Sequence, residues 1–230
     1  MTDNLKKLDR VLMSPTAKTD FFDLYENDIT FTNWLLGILP EVKDCQLQQQ
    51  NNPWHVYNVL DHILVSVEHM ASLAVDLSAK EKRLLGYVMF LHDIGKPETH
   101  GTRLNKEGVL VDSFYNHQIA SKKIAQRVLP EFDFDNKEQQ IIEKLILEHD
   151  YFMFLSRQEN LDDKKLTQKA KENIQEFNHF GNGFKLNQML VKIALSDNMA
   201  QNLALTKPNI ELIKQYDRVS NQNFVDDKAL

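Results

Sequence analysis

Through the middle of the chain, apolar residues recur at three- and four-residue intervals, the pattern of helices that bury one face. From Asn52-Pro53, read as an N-cap followed by proline at the first helical position, Val56, Leu60, Ile63, Val67, Met70 and Ala74 form one stripe. They predict a helix to about Leu77. His55, His62 and His69 repeat every seven residues and fall on a line beside that stripe. The next helix, from about Ala79, is apolar nearly all round between Leu84 and Leu91, which predicts a central, buried element. His92-Asp93-Ile94-Gly95-Lys96-Pro97 marks its end, with Gly95 and Pro97 read as helix stops. Residues 97–113 are polar, carry Gly101 and Gly108 and lack periodicity, so a loop is expected.

A third helix is predicted from about Ser113 to Leu129, with His117, Ala120, Ile124 and Val128 on its stripe. A fourth runs from about Lys137 to Asp150, with Ile142, Leu145, Ile146 and His149 at helical spacing. Residues 151–162 read as a loop and 163–179 as a polar surface helix. From near Phe184, one face carries Leu186, Leu190, Ile193, Asp197, Ala200 and Ala204. A short helix from Ile210 to Val219 precedes a polar tail expected to fray. Upstream, Phe21, Phe22, Tyr25, Phe31 and Trp34 lie at irregular spacing and read as packing, before a polar break at Gln46–Asn52. The expected fold is an all-α bundle around a central buried helix. Residues 1–50 form a helical extension packed on the core, 51–206 the main domain, and 207–230 a C-terminal helix and tail.

Composition narrows the function. Seven glycines and six prolines in 230 residues favour long regular elements over many tight turns. A net charge of -6 argues against a dedicated nucleic-acid binder. Cys45 is the only cysteine, which excludes an intrachain disulfide and a cysteine-based zinc site. The first residues lack the apolar core of a signal peptide, and no apolar run is long enough to span a bilayer, so a cytoplasmic protein with no membrane partner is expected.

The chemistry lies in where polar residues fall. His117, His149 and Asp197 each sit on an apolar stripe; His92 and Asp93 end the most hydrophobic helix; His62 borders the apolar face of its own. Burying even an uncharged polar group without a partner costs about 2–7 kcal/mol. Any one of these residues alone reads as a core side chain bonded to the backbone. Six such placements on five helices instead suggest convergence into a nitrogen- and oxygen-rich site for one or two divalent ions, with Fe, Mn, Mg, Zn, Ni and Co all open.

The order His62, then His92-Asp93, then Asp197 resembles the HD-domain superfamily of metal-dependent phosphohydrolases. The likeness extends to the surroundings: VLDHIL at 59–64, FLHDIGKPET at 90–99, FYNHQIA at 114–120, IEKLILEHD at 142–150 and IALSDNMAQN at 193–202. The stretch around Lys96-Pro97-Glu98-Thr99 is similar to the HD region of bacterial CCA-adding tRNA nucleotidyltransferases. No nucleotidyltransferase domain precedes it, and the Gly-Tyr-Pro signature of the cyclic-di-GMP-degrading branch is absent. Neither activity is therefore expected. The resemblance implies an HD-domain-like bundle in which His62, His92, Asp93 and Asp197 bind a first metal and Asp93 bridges to a second held by His117 and His149. It implies hydrolysis of a phosphomonoester or phosphodiester of a nucleotide or similar small molecule.

Asp93 and Lys96 are the catalytic candidates. Lys96, His55 and Arg103 are candidates for substrate binding, with Lys106 a weaker one. Lys96 reads equally as a lysine interacting with a helix C-terminus, and His55 as a surface histidine. Two other readings stand beside the hydrolase: a di-iron oxygenase on the same ligands, and a non-catalytic module with a structural metal.

Overall fold

A computed structural model of the chain describes residues 2–224. The tail beyond Phe224, expected to fray, lies outside the described residues. The elements in order are α1 (Asp3–Leu12), α2 (Ala17–Asn27), α3 (Ile29–Ile38), α4 (Glu41–Leu47), α5 (Val59–Leu73), α6 (Ala79–Leu91), β1 (Gly101–Leu104), β2 (Leu110–Ser113) and α7 (His117–Val128). They continue with α8 (Asn136–Glu148), α9 (Tyr151–Leu155), α10 (Asp163–Phe177), α11 (Gly183–Met199) and α12 (Leu203–Phe224). The fold is all-α apart from one small hairpin. No helix among the described residues is long and apolar enough to cross a membrane.

The central helix is α6. Ser78 and Glu81 close a capping box at its start, which satisfies two orphan backbone donors. Every residue from Leu84 to Leu91 is buried, as an all-round apolar helix requires. Around it pack α1, α5, α7, α8 and α11. Gly86 lets α1 approach closely: a Cβ there would lie 2.5 Å from the Leu12 carbonyl oxygen. Buried apolar residues from Leu5 in α1 to Val219 in α12 form one continuous core, so the four N-terminal helices share it with the rest.

Several expected boundaries move. The first predicted helix begins at Val59, not at Pro53, because Asn58 is the cap: its Oδ1 accepts the Asp61 N–H at 2.8 Å. Asn52 instead turns its side chain to Trp54 and His55, so residues 53–58 form a turn and Val56 is exposed. The heptad line of histidines is broken, since His55 precedes the helix. Part of the expected 97–113 loop is a short 3-10 turn, Pro97–Thr99, followed by the β1–β2 hairpin, with Gly101 opposite Ser113 and Leu104 opposite Leu110. Helix α7 starts at His117 because Ser113 ends β2 and Asn116 adopts a left-handed φ of 63°, which asparagine tolerates.

Downstream, part of the 151–162 loop is helix α9, which buries Phe152 edge-on against Tyr216 at 4.9 Å. Helix α11 stops at Met199, so Ala204 belongs to α12 and not to the Asp197 face. Helix α12 is far longer than Ile210–Val219 and continues through Pro208, forgoing one backbone bond.

Candidate metal centre

Five elements deliver the candidate ligands. His62 lies in the first turn of α5, and its N–H bonds to the Asn58 carbonyl. His92 directly follows α6, and Asp93 sits in the turn beyond it. His117 opens α7, His149 caps the end of α8, and Asp197 lies in the last turn of α11. Gly95 makes this junction possible, though not as a left-handed helix stop. A Cβ at Gly95 would sit 2.4 Å from the Ser121 nitrogen, so glycine is needed for the turn to press against α7. The Gly95 N–H donates to Ser121 Oγ at 2.9 Å, fixing Asp93 relative to His117.

All six side chains converge. His62 Nε2 lies 3.1 Å from Asp93 Oδ2 and 3.0 Å from Asp197 Oδ1, and His92 Nε2 lies 3.4 and 3.6 Å from the same two oxygens. The other carboxylate oxygen of Asp93 faces the opposite way: Oδ1 is 3.2 Å from His117 Nε2 and 3.7 Å from His149 Nε2. Two sets result, His62, His92, Asp93 and Asp197, and Asp93, His117 and His149. In each, the ligand atoms lie within 4.8 Å of one another, close enough to hold an ion. Asp93 belongs to both.

The second ring nitrogens reveal the tautomers. Nδ1 of His62, His92, His117 and His149 faces the backbone carbonyls of Ala200, Met89, Phe114 and Ile146 at 3.3, 2.6, 2.8 and 2.7 Å. A carbonyl oxygen only accepts, so each Nδ1 carries the proton, and in a neutral ring each Nε2 presents a lone pair. Backbone anchoring of the far nitrogen is how metal-ligating histidines are oriented. Here the lone pairs point at carboxylates and at one another, with His117 Nε2 3.1 Å from His149 Nε2. Such an arrangement is repulsive unless protons or cations lie within it. Accordingly, the buried Nε2 atoms of His62 and His92 and Oδ1 of Asp93 make no hydrogen bond, despite their short distances to oppositely disposed atoms. The donor set therefore fits divalent ions well.

Without a metal, protons take over that task. Burial pulls His92 down, but the Asp93 and Asp197 carboxylates outweigh it and push its pKa up to about 10. The same opposition leaves His117 raised, with Asp93 the main cause. Burial would raise Asp93 and Asp197, yet Lys96 and His92 hold the first, and His62 and His92 the second, well below the ordinary carboxylate range. His149 is lowered by burial and by the neighbouring His117 and His92, against the pull of Asp150.

Lys96 is buried beside the cluster and is not spread along a helix end. Its ammonium is 2.6 Å from Asp93 Oδ2, 2.8 Å from Gln50 Oε1 and 3.2 Å from His55 Nε2. His55 thus joins the site through Lys96, and burial together with that ammonium lowers its pKa. Arg103 is not brought to the cluster: it is exposed on β1, and its side chain makes no bond to any ligand. Lys106 is exposed at the hairpin tip. Sequence reasoning passed over two residues. Gln50 lies in a polar stretch with no periodicity to mark it, and Asp150, 3.4 Å from His117 Nε2, follows a helix end where an acidic residue carries no special signal. A cleft of about 720 Å³ nearby is lined by Glu41, Asp44, Glu98, Ile94 and Pro97 among others; its carboxylates would repel a phosphate.

The HD-domain family model matches residues 59–194, from the first residue of α5 into α11. The chain belongs to the HD-domain family. HD domains are generally metal-dependent hydrolases, and the match spans five of the six converging residues, with Asp197 just beyond it. It is a match to the HD domain at large and singles out no likeness to the CCA-adding enzymes.

Proposed function

We propose that this HD-domain protein hydrolyses phosphate esters of small molecules, nucleotides among them, at the cluster around Asp93. The observation that carries this reading is the set of four histidines whose Nδ1 protons are tied to backbone carbonyls while their Nε2 atoms converge on Asp93 and Asp197. His62, His92, Asp93 and Asp197 would hold one ion, and Asp93, His117 and His149 a second. Divalent ions at such ligands lower the pKa of water to about 7 and draw charge from a phosphoryl oxygen.

The chain's own residues do the rest. The backbone carbonyls hold each imidazole in one orientation, so little reorganisation is needed when charge develops. Asp93 presents one oxygen to each ligand set and so fixes their spacing. Lys96, held against Asp93 at 2.6 Å, supplies positive charge at the edge of the site, where a phosphoryl group gathers negative charge. Buried walls from α6 and α11 exclude bulk water and strengthen each of these interactions.

The test is turnover of p-nitrophenyl phosphate and bis-p-nitrophenyl phosphate by protein loaded with manganese or magnesium, with and without oxygen. Oxygen-independent release of p-nitrophenol, lost on chelation, supports the proposal. Oxygen consumption by iron-loaded protein without ester turnover would point to an oxygenase. Full metal loading with no turnover of either kind would leave a structural metal.

A further inference from the structure

Lys96 carries three N–H donors, and all three are engaged within the protein, by Asp93, Gln50 and His55. What fixes the last two partners is legible atom by atom. Gln50 is buried, with only 5% of its surface exposed. Its Nε2 donates to the Tyr57 carbonyl at 3.2 Å, which forces Oε1 toward the Lys96 ammonium. The flipped amide would set NH₂ against NH₃⁺ and one carbonyl oxygen against another.

His55 is fixed in the same manner. Asn52 Oδ1 accepts the Trp54 backbone N–H at 3.1 Å and is therefore the oxygen of that amide. His55 Nδ1, 2.9 Å from this oxygen, must then carry its proton, and Nε2 is left with a lone pair facing Lys96. Both arms start in the segment 48–58, which is itself pinned: Asn51 donates from its backbone and its side chain to Asp112 Oδ2 at 2.7 and 3.0 Å. The turn that displaced the predicted start of α5 thus acts as a clasp around one ammonium group.

Resting on the phosphohydrolase reading above, we propose that Gln50 and Asn52 are positioning residues for Lys96, and that His55 is the partner a phosphate oxygen displaces. Gln50 and Asp93 hold the two shorter bonds and set the direction of the Nζ atom. The His55 bond is the longest of the three, and His55 is only half-buried, so its lone pair can turn to water when the substrate takes the third N–H. Asn52 keeps His55 in the tautomer that accepts from Lys96 and cannot donate toward it. An ammonium held by two bonds and released from a third is pre-aimed at an incoming phosphate, which limits the ordering cost of binding.

The test uses the full-length, manganese-loaded protein and inorganic phosphate as probe, with binding by calorimetry, metal content by elemental analysis, and kcat/KM on p-nitrophenyl phosphate. Gln50→Met is expected to weaken phosphate binding and lower kcat/KM by about tenfold each, with metal content unchanged. Gln50→Glu, which loses the donor to the Tyr57 carbonyl and sets a negative charge beside the ammonium, should weaken phosphate binding at least as much. In a Lys96→Met background, Gln50→Met should add no further loss, because it acts through the missing ammonium. Equal losses in the two backgrounds, or wild-type phosphate binding by Gln50→Met while Lys96→Met is impaired, would overturn the inference alone. Lys96→Met with wild-type phosphate binding would overturn the role given to Lys96, and no phosphate binding by the loaded wild type would remove the phosphohydrolase reading beneath both. Should Gln50→Met lose its helical far-UV signal, Asn52→Ala decides by the same comparison.

Discussion

Helices α6, α8 and α11 each have one end in ordinary protein architecture and the other at the candidate metal centre. At their N-termini, Ser78 and Glu81 close one capping box and Asp135 and Glu138 another, while Asn182 Oδ1 accepts the Lys185 N–H at 2.9 Å. The charges left over pair off as well, Lys80 with Glu138 and Lys185 with Glu81. Each capping oxygen there accepts a backbone N–H. At the other end of the same helices stand His92, His149 and Asp197, and there acceptors face acceptors. Both ends gather polar and ionisable residues, so the contrast lies in complementarity: the capping groups find partners within the protein, whereas the other end presents acceptors that protons or cations would satisfy.

Perturbing the two ends should have opposite signatures. The largest effect is expected for Asp93→Asn, which weakens both ligand sets at once. Metal binding and ester turnover should fall to background while far-UV circular dichroism stays helical; retained turnover would exclude the assignment. His149→Ala should strip the second set only. Elemental analysis should show about one ion fewer, and turnover should drop on the order of 10²-fold. Unchanged stoichiometry would mean that this set holds nothing.

The pH response sharpens the same contrast. In metal-free protein the pKa of His92 is about 10 against an ordinary 6.5, so its charge stabilises the fold fully below 6.5. That contribution fades as pH rises toward about 10, and metal-free melting temperature should decline across the interval. Metal affinity should rise over the same range, since the ligands must shed their protons to bind. A melting temperature of metal-free protein insensitive to pH there would argue against the buried charge. Smallest is Ser78→Ala at the capped end: a loss of about 1 kcal/mol of stability, with metal content and turnover unchanged. A change in metal content would show that the ends are not independent.

How far could this be read from the chain alone? The six candidate ligands could be named because each interrupts an apolar stripe or ends one, and such interruptions are visible without coordinates. The central helix was equally plain, since Leu84–Leu91 leaves no polar face to put in water. The clasp was not. Asn52 and Asn58 are both able caps, and the contacts that hold a turn at the first, Lys96 with His55 and Gln50 and Asp112 with Asn51, come from far along the chain, while the second caps the helix. The β1–β2 hairpin was hidden because its residues are mostly exposed and so carry no alternation. Gly95 signalled a special position, but its reason, contact with Ser121, lies 26 residues away and is invisible to local rules. Arg103 shows the converse: a charge near the motif in sequence is exposed on β1 and makes no bond to the cluster.

The most direct measurement is an anomalous difference map from crystals of the full-length protein soaked with manganese. The expected result is density between His62, His92, Asp93 and Asp197, and a second peak bounded by Asp93, His117 and His149, with Nε2 as the ligating atom of every histidine. Manganese bound elsewhere, with this cluster empty and its rings hydrogen-bonded among themselves, would contradict the claim that these helices meet in order to share cations.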